Sequence, residues 1–202
     1  MAVDIEQVKK LKELTGVGLT DAKRALEEAD GDFDKALTAM REKGLTKAEK
    51  RGEREAREGL IEAYVHSGRI GVLLELNCET DFVAKTDEFK GLAHDLALQV
   101  AAMSPKWIAM TDIPESEITR KREELLSAAK TDPKNVSKPT DVLDKIIQGQ
   151  LDKYFDELVL MQQTFWKDGE TRINDLMKQT IAKLGENIVV RQFRRIELGV
   201  SE

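Results

Sequence analysis

Between Asp4 and Lys43 the apolar positions fall into three short stripes at helical spacing. Ile5, Val8 and Leu11 form the first. Thr15-Gly16-Val17-Gly18 interrupts it, because glycine supplies backbone angles that other residues resist. Ala22, Ala25, Leu26 and Ala29 form the second. Asp30-Gly31-Asp32 marks the next turn, and Asp32 stands where it can cap a third helix through Phe33, Ala36, Leu37 and Met40. Gly44 is expected to end that helix. Three helices this short make a small bundle with a thin core and modest stability. Residues 45–57 are charged or alanine almost throughout and read as a linker or a solvated helix. The domain boundary is therefore expected near residue 54, with 1–54 as an N-terminal domain plus linker and 55–202 as a second domain.

The second region begins with a period of two. Leu60-Ile61 and Tyr64-Val65 sit in one strand-like run, and Ile70, Val72, Leu74, Leu76 and Cys78 alternate along the next. Ser67-Gly68 between the runs suits a tight hairpin turn. Thr86-Asp87-Glu88 then looks like a helix start, followed by a core face of Phe89, Leu92, Ala93, Leu96, Val100 and Met103. Pro105 stops it, and Trp107-Ile108-Ala109-Met110 reads as a short strand. Pro114 opens a helix to about Lys130, Asp132 to Pro139 is a loop, and apolar positions from Val142 to Val159 return at helical spacing. These two helices are expected to pair as a hairpin over about 115–165. A last helix runs over Thr171–Leu184 and Gly185 ends it. Ile188 to Phe193 reads as a final strand. The sum is α+β: a three-helix bundle, then a small antiparallel sheet flanked by helices and a helical hairpin.

Composition narrows the function. Charged residues are 35% and hydrophobic ones 41%, a balance typical of a globular chain. No apolar run approaches a membrane span, and no basic-then-apolar leader opens the chain, so it reads as cytoplasmic, without a membrane partner. The net charge of -6 argues against nucleic acid as a partner. Residues 1–54 carry 12 basic and 12 acidic residues, so the acidic surplus belongs to the rest.

Candidate chemistry is sparse. His66 and His94 are the only histidines, with no spacing that suggests metal binding. They read as surface residues. Cys78, the only cysteine, ends the apolar face of its strand and reads as a buried structural thiol. Thr15-Gly16-Val17-Gly18 lacks the lysine and the preceding strand of a phosphate loop. Arg191, Arg194 and Arg195 read as solvent-facing basic residues of the last strand. Neither a metal, a cofactor nor catalysis of bond chemistry is implied. Glu79-Thr80-Asp81-Phe82-Val83 is different. A large aromatic beside an acid, just past the end of an alternating strand, either folds back as a plug under the sheet with Asp81 capping a turn, or protrudes as a wedge that a partner covers.

Three stretches carry a resemblance. Glu75-Leu76-Asn77-Cys78-Glu79-Thr80-Asp81-Phe82-Val83-Ala84-Lys85 is similar to the signature of the bacterial elongation factor Ts family. Leu11 to Leu26 resembles that family's N-terminal signature, and Ile146 to Asp168 a third stretch near its C-terminal end. The matches come in the family's order across almost the whole chain, and with one hairpin-and-helix unit, where long members carry two copies of the core subdomain, the chain resembles the family's short type. The resemblance implies a guanine-nucleotide exchange factor for the translational GTPase elongation factor Tu. It implies a bundle similar to ubiquitin-associated domains, followed by an α+β core. It assigns Asp81 and Phe82, with Thr80 and Val83, to a loop that enters the GTPase near its magnesium site. It assigns Lys12, Leu19, Thr20 and Lys23 to the bundle's grip on the GTPase. Some members carry arginine where Lys12 stands and two methionines where Leu19 and Thr20 stand. Lysine lacks arginine's bidentate fork, so the grip is expected to differ in detail. The short type is associated with a homodimer in a two-plus-two complex with the GTPase. Ile188 to Phe193 and the neighbouring hairpin are the candidate dimer surfaces. Two rivals remain on residues alone. A ubiquitin-like-binding adaptor fits the bundle but leaves 55–202 idle, and an enzyme would have to use Cys78 or His66.

Overall fold

A computed structural model describes residues 4–15, 17–131 and 139–200. The chain divides into two compact units, Met1–Ala101 with Asn174–Glu202, and Ala102–Ile173.

The first unit begins with the expected bundle, α1 (Ile5–Thr15), α2 (Leu19–Glu28) and α3 (Phe33–Arg51). Its core is Val8, Leu11, Ala22, Ala25, Leu26, Ala36 and Met40, with Val17, Ala29, Phe33 and Leu37 packed at the margin. Alanines fill much of it, so little apolar area is buried per residue. Asp32 caps α3 by accepting from the Lys35 N–H at 3.1 Å. Gly44 does not end α3, contrary to expectation. It keeps ordinary helical angles, and a methyl added there would lie 3.3 Å from Ala182 Cβ. The missing side chain therefore serves close packing rather than termination. The helix continues to Arg51, whose Nη1 donates to the Ile181 carbonyl at 3.1 Å.

The sheet has the order β1-β2-β3, antiparallel throughout, with β1 (Glu58–His66), β2 (Ile70–Cys78) and β3 (Ile188–Glu197). Ser67 and Gly68 both have positive φ, 50° and 67°, as a turn matched to the strand twist requires. Val72, Leu74, Leu76 and Cys78 are all buried, as the alternation predicts. The central helix α5 (Asp87–Met103) buries Phe89, Leu92, Ala93, Leu96, Ala97 and Val100. It is tied to both edge strands of the inner face. His94 Nδ1 lies 2.8 Å from Glu62 Oε1 on β1, and Arg195 Nε on β3 donates to the Ala101 carbonyl at 3.3 Å. Gly185, at φ 82°, ends α8 (Ile173–Leu184). β3 outruns the expected Ile188 to Phe193, and it bulges at Arg191, which has no partner where β2 passes from Glu75 to Leu76.

The second unit holds α6 (Glu115–Thr131) and α7 (Thr140–Leu158). Arg122 donates to Gln148 Oε1 at 2.7 Å, and Lys121 Nζ lies 4.3 Å from the Tyr154 ring centre, so the helices run antiparallel as a hairpin. Its core is Ile113, Leu151, Phe155 and Val159, with Trp107, Ile118, Leu125 and Tyr154 around it. Val142 is exposed, although it lies on the expected stripe. Trp107 to Met110 is not a strand. A single parallel bridge joins Trp107 to Val159, and a short 3-10 turn takes over at Met110–Asp112. Most of the loop expected over Asp132 to Pro139 lies outside the described residues. No helix among the described residues is long and apolar enough to cross a membrane.

Candidate functional site

Strand β2 ends at Cys78, and after Glu79 and Thr80 the chain closes one helical turn, α4 (Asp81–Ala84). A single turn does not hold itself, because nucleation costs more than its few bonds return. Two threonines bracket it. Thr80 is the N-cap, its Oγ1 accepting from the Val83 N–H at 3.5 Å. Thr86 Oγ1 donates to the Val83 carbonyl at 2.7 Å and accepts from the Phe89 N–H at 3.3 Å, starting α5. Asp81 does not cap the turn, as the plug reading supposed. It pairs with Lys85 one turn on, Nζ to Oδ2 at 2.5 Å. That hydrogen bond holds the Asp81 carboxyl below its ordinary value and raises the Lys85 ammonium above its own.

The turn fixes where the ring points. Ala84 is the buried residue of α4. Phe82 precedes it by two positions, about 200° around the helix, and so faces away. Phe82 is 79% exposed, whereas Phe89, seven residues on, is fully buried. The plug is therefore not formed. The chain has an interior place for a phenylalanine and does not put this one there. Val83 is half-buried beside it.

Behind the turn, Glu186 and Asn187 exchange hydrogen bonds with Glu79 and Thr80. Glu186 Oε2 accepts from the Glu79 and Thr80 N–H groups at 3.1 and 3.0 Å, and its Oε1 accepts from Thr80 Oγ1 at 2.6 Å. Glu79 Oε1 in turn accepts from the Asn187 N–H at 2.7 Å. Sequence reading missed this pair. It lies more than 100 positions from Thr80, and no periodicity signals it. Cys78 donates from Sγ to the Thr80 carbonyl at 3.1 Å. Burial first, then the Glu186 carboxylate, pushes its thiol up to about 11, which keeps it protonated and unreactive at neutral pH.

The remaining candidates stand elsewhere. Lys12 on α1 and Leu19, Thr20 and Lys23 on α2 are all exposed, Lys23 in a loose pair with Glu27 at 3.7 Å. Leu14 and Ile5 on α1 are exposed too, and the sequence reading did not include Leu14. His66 Nδ1 meets the Tyr64 hydroxyl at 2.9 Å. The His94–Glu62 contact is made by the fold, since 32 residues separate the two. Among the described residues no group of three or more histidine, cysteine or carboxylate side chains could hold a metal ion. Arg191 and Arg194 are exposed, but Arg195 does not face solvent. It packs inward, with Nη1 2.8 Å from Glu197 Oε2.

Comparison with known proteins covers nearly the whole chain. The sequence model of a family described as "Elongation factor TS" matches residues 5–199. A protein of Carboxydothermus hydrogenoformans named elongation factor Ts is 50% identical over 195 residues, 96% of this chain and 88% of that one. Its namesake in Thermodesulfovibrio yellowstonii is 46% identical over 202 residues, 100% of this chain and 99% of the other. That of Thermotoga neapolitana is 50% identical over 200 residues, 98% of each.

Proposed function

The chain belongs to the elongation factor Ts family, and on that footing we propose that Phe82, carried by α4 with Thr80, Asp81 and Val83, is the group through which it loosens GDP on elongation factor Tu. As a member of that family it is the nucleotide exchange factor of this GTPase, acts in cytoplasmic translation elongation, and makes or breaks no covalent bond. The family match runs on through residues 55–199, which an adaptor built on the bundle would leave idle.

The observation that carries the reading is a bare phenylalanine on a turn pinned from both sides. Seating that ring in a partner contributes roughly 1.5–3 kcal/mol. The partner's magnesium bridges nucleotide and protein and demands near-ideal octahedral geometry. A ring pushed between the helices beside it spoils that geometry without touching the base. A partner disturbed in this way would hold both its ion and its nucleotide less tightly. Linkage makes the effect reciprocal: the factor weakens GDP by as much as GDP weakens the factor. Lys12, Leu19, Thr20 and Lys23 supply the second grip, from a bundle that we treat as a separate domain ending near residue 54.

A photo-crosslinking amino acid at position 82 tests the placement. In a complex with elongation factor Tu it is expected to join the GTPase beside its magnesium site. A crosslink formed within the factor's own chain instead would end the proposal.

We further propose that the factor works as a homodimer, giving the two-plus-two complex. The outer face of the sheet supports this: Ile61, Val65, Leu73 and Ile196 lie uncovered there, Ile61 and Ile196 at 70% and 72% exposure. Such a face ordinarily needs a cover, and the hairpin and β3 provide it in two copies. Light scattering is expected to give the mass of two chains; a one-chain mass at micromolar concentration counts against it.

A further inference from the structure

Glu186 touches neither the proposed contact residue Phe82 nor the residues of α4 themselves, yet it accepts from three donors, the Glu79 and Thr80 N–H groups and the Thr80 hydroxyl, immediately before α4 begins. We propose that Glu186 is a positioning residue for nucleotide exchange: its carboxylate sets the angle at which α4 presents Phe82 to the GTPase. This inference rests on the reading of Phe82 above.

The chain leaves β2 at Cys78 and must turn within Glu79 and Thr80 to begin α4. The N–H groups of those two residues would otherwise lie unpaired at a half-buried junction, where a lost partner is costly. One oxygen of Glu186 receives both of them. The other receives the Thr80 hydroxyl. An ionised acceptor makes each of these bonds stronger than a neutral one would.

The hydroxyl bond matters most. A threonine hydroxyl has one proton and two lone pairs. Because Thr80 gives its proton to Glu186 at 2.6 Å, only lone pairs remain to face the Val83 N–H, and those are what an N-cap needs. The carboxylate therefore fixes both the position of the cap and the direction it points. The return bond from Asn187 N–H to Glu79 Oε1 closes the exchange, so the exit of β2 and the start of β3 are locked as a pair. Since α4 is a single turn, its orientation is set at this junction and at Thr86. Within the turn only the buried Ala84 and the Asp81–Lys85 pair add to that hold.

The test is a double-mutant cycle on GDP release from elongation factor Tu, measured by stopped flow at saturating factor, with melting temperatures recorded for every variant. Glu186→Ala is expected to slow release about tenfold in the wild-type background and by less than twofold in a Phe82→Ala background. The affinity of the factor for the GTPase should fall less than the release rate. Glu186→Asp retracts the carboxylate by one methylene, and should show the same pattern more weakly if Glu186→Ala does not fold. Three results would overturn the inference. Wild-type release from either folded Glu186 variant removes the role and leaves the Phe82 reading standing. An undiminished loss on top of Phe82→Ala shows that Glu186 acts somewhere other than through the ring. Wild-type release from Phe82→Ala alone means the site reading itself has failed, and the inference falls with it.

Discussion

Replacing Phe82 with alanine is expected to slow factor-stimulated GDP release by roughly ten- to hundredfold, the rate equivalent of the 1.5–3 kcal/mol that seating the ring contributes. Stability should move by no more than about 0.5 kcal/mol, because an exposed side chain loses few contacts when truncated. The two readouts separate the ring's roles. A plug would lower the melting temperature and leave release intact. The outward ring, opposite the buried Ala84, leads to the reverse result. Thr80, Thr86 and the Asp81–Lys85 pair all survive the substitution, so the variant keeps its turn and loses only its tip. Fluorescent GDP in a stopped-flow instrument, with calorimetry alongside, measures both.

Leu26→Ala is expected to act at the proposed second grip. Leu26 is fully buried in a small core where three of the other six residues are alanine. Removing a leucine from such a site costs about 2–5 kcal/mol, a large part of what so small a bundle possesses. The bundle should melt first, with loss of amide-exchange protection confined to α1, α2 and α3, while β2 and α5 stay protected. Affinity for the GTPase should then fall, because Lys12, Leu19, Thr20 and Lys23 no longer share a folded surface. The release rate at saturating factor should change much less than in Phe82→Ala. A single transition that carries the sheet down with the bundle would argue against a separate domain ending near residue 54.

The parts of the molecule that sequence made legible are those governed by local periodicity. The bundle stripes apart from the exposed Ile5, the alternation from Ile70 to Cys78 and the Ser67-Gly68 turn each follow from spacing and backbone angle, and each is present. Reading failed where distant segments decide. Gly44 looked like a terminator because glycine often is one, but Ala182 lies against it and asks for the absent side chain. Trp107 to Met110 has the composition of a strand, yet its backbone bonds to Leu158, Leu160 and Met161 amount to one bridge, at Val159, and no ladder. His94 finds Glu62 across 32 residues. The Phe82 question has the same origin. Composition favours burying an aromatic, and a four-residue turn rotates it outward according to which neighbour the core accepts. The core accepts Ala84. The carboxylate that holds the turn comes from Glu186, far along the chain, where a charged residue between a glycine and a strand gave no sign of its partner.

The most direct measurement follows GDP release as magnesium is raised, for the wild-type factor and for Phe82→Ala side by side. If the ring acts by expelling the cation, added magnesium opposes the wild-type factor and its acceleration declines steadily, while the alanine variant, slow from the start, hardly responds. Equal magnesium sensitivity in the two proteins, or none in either, would contradict the account.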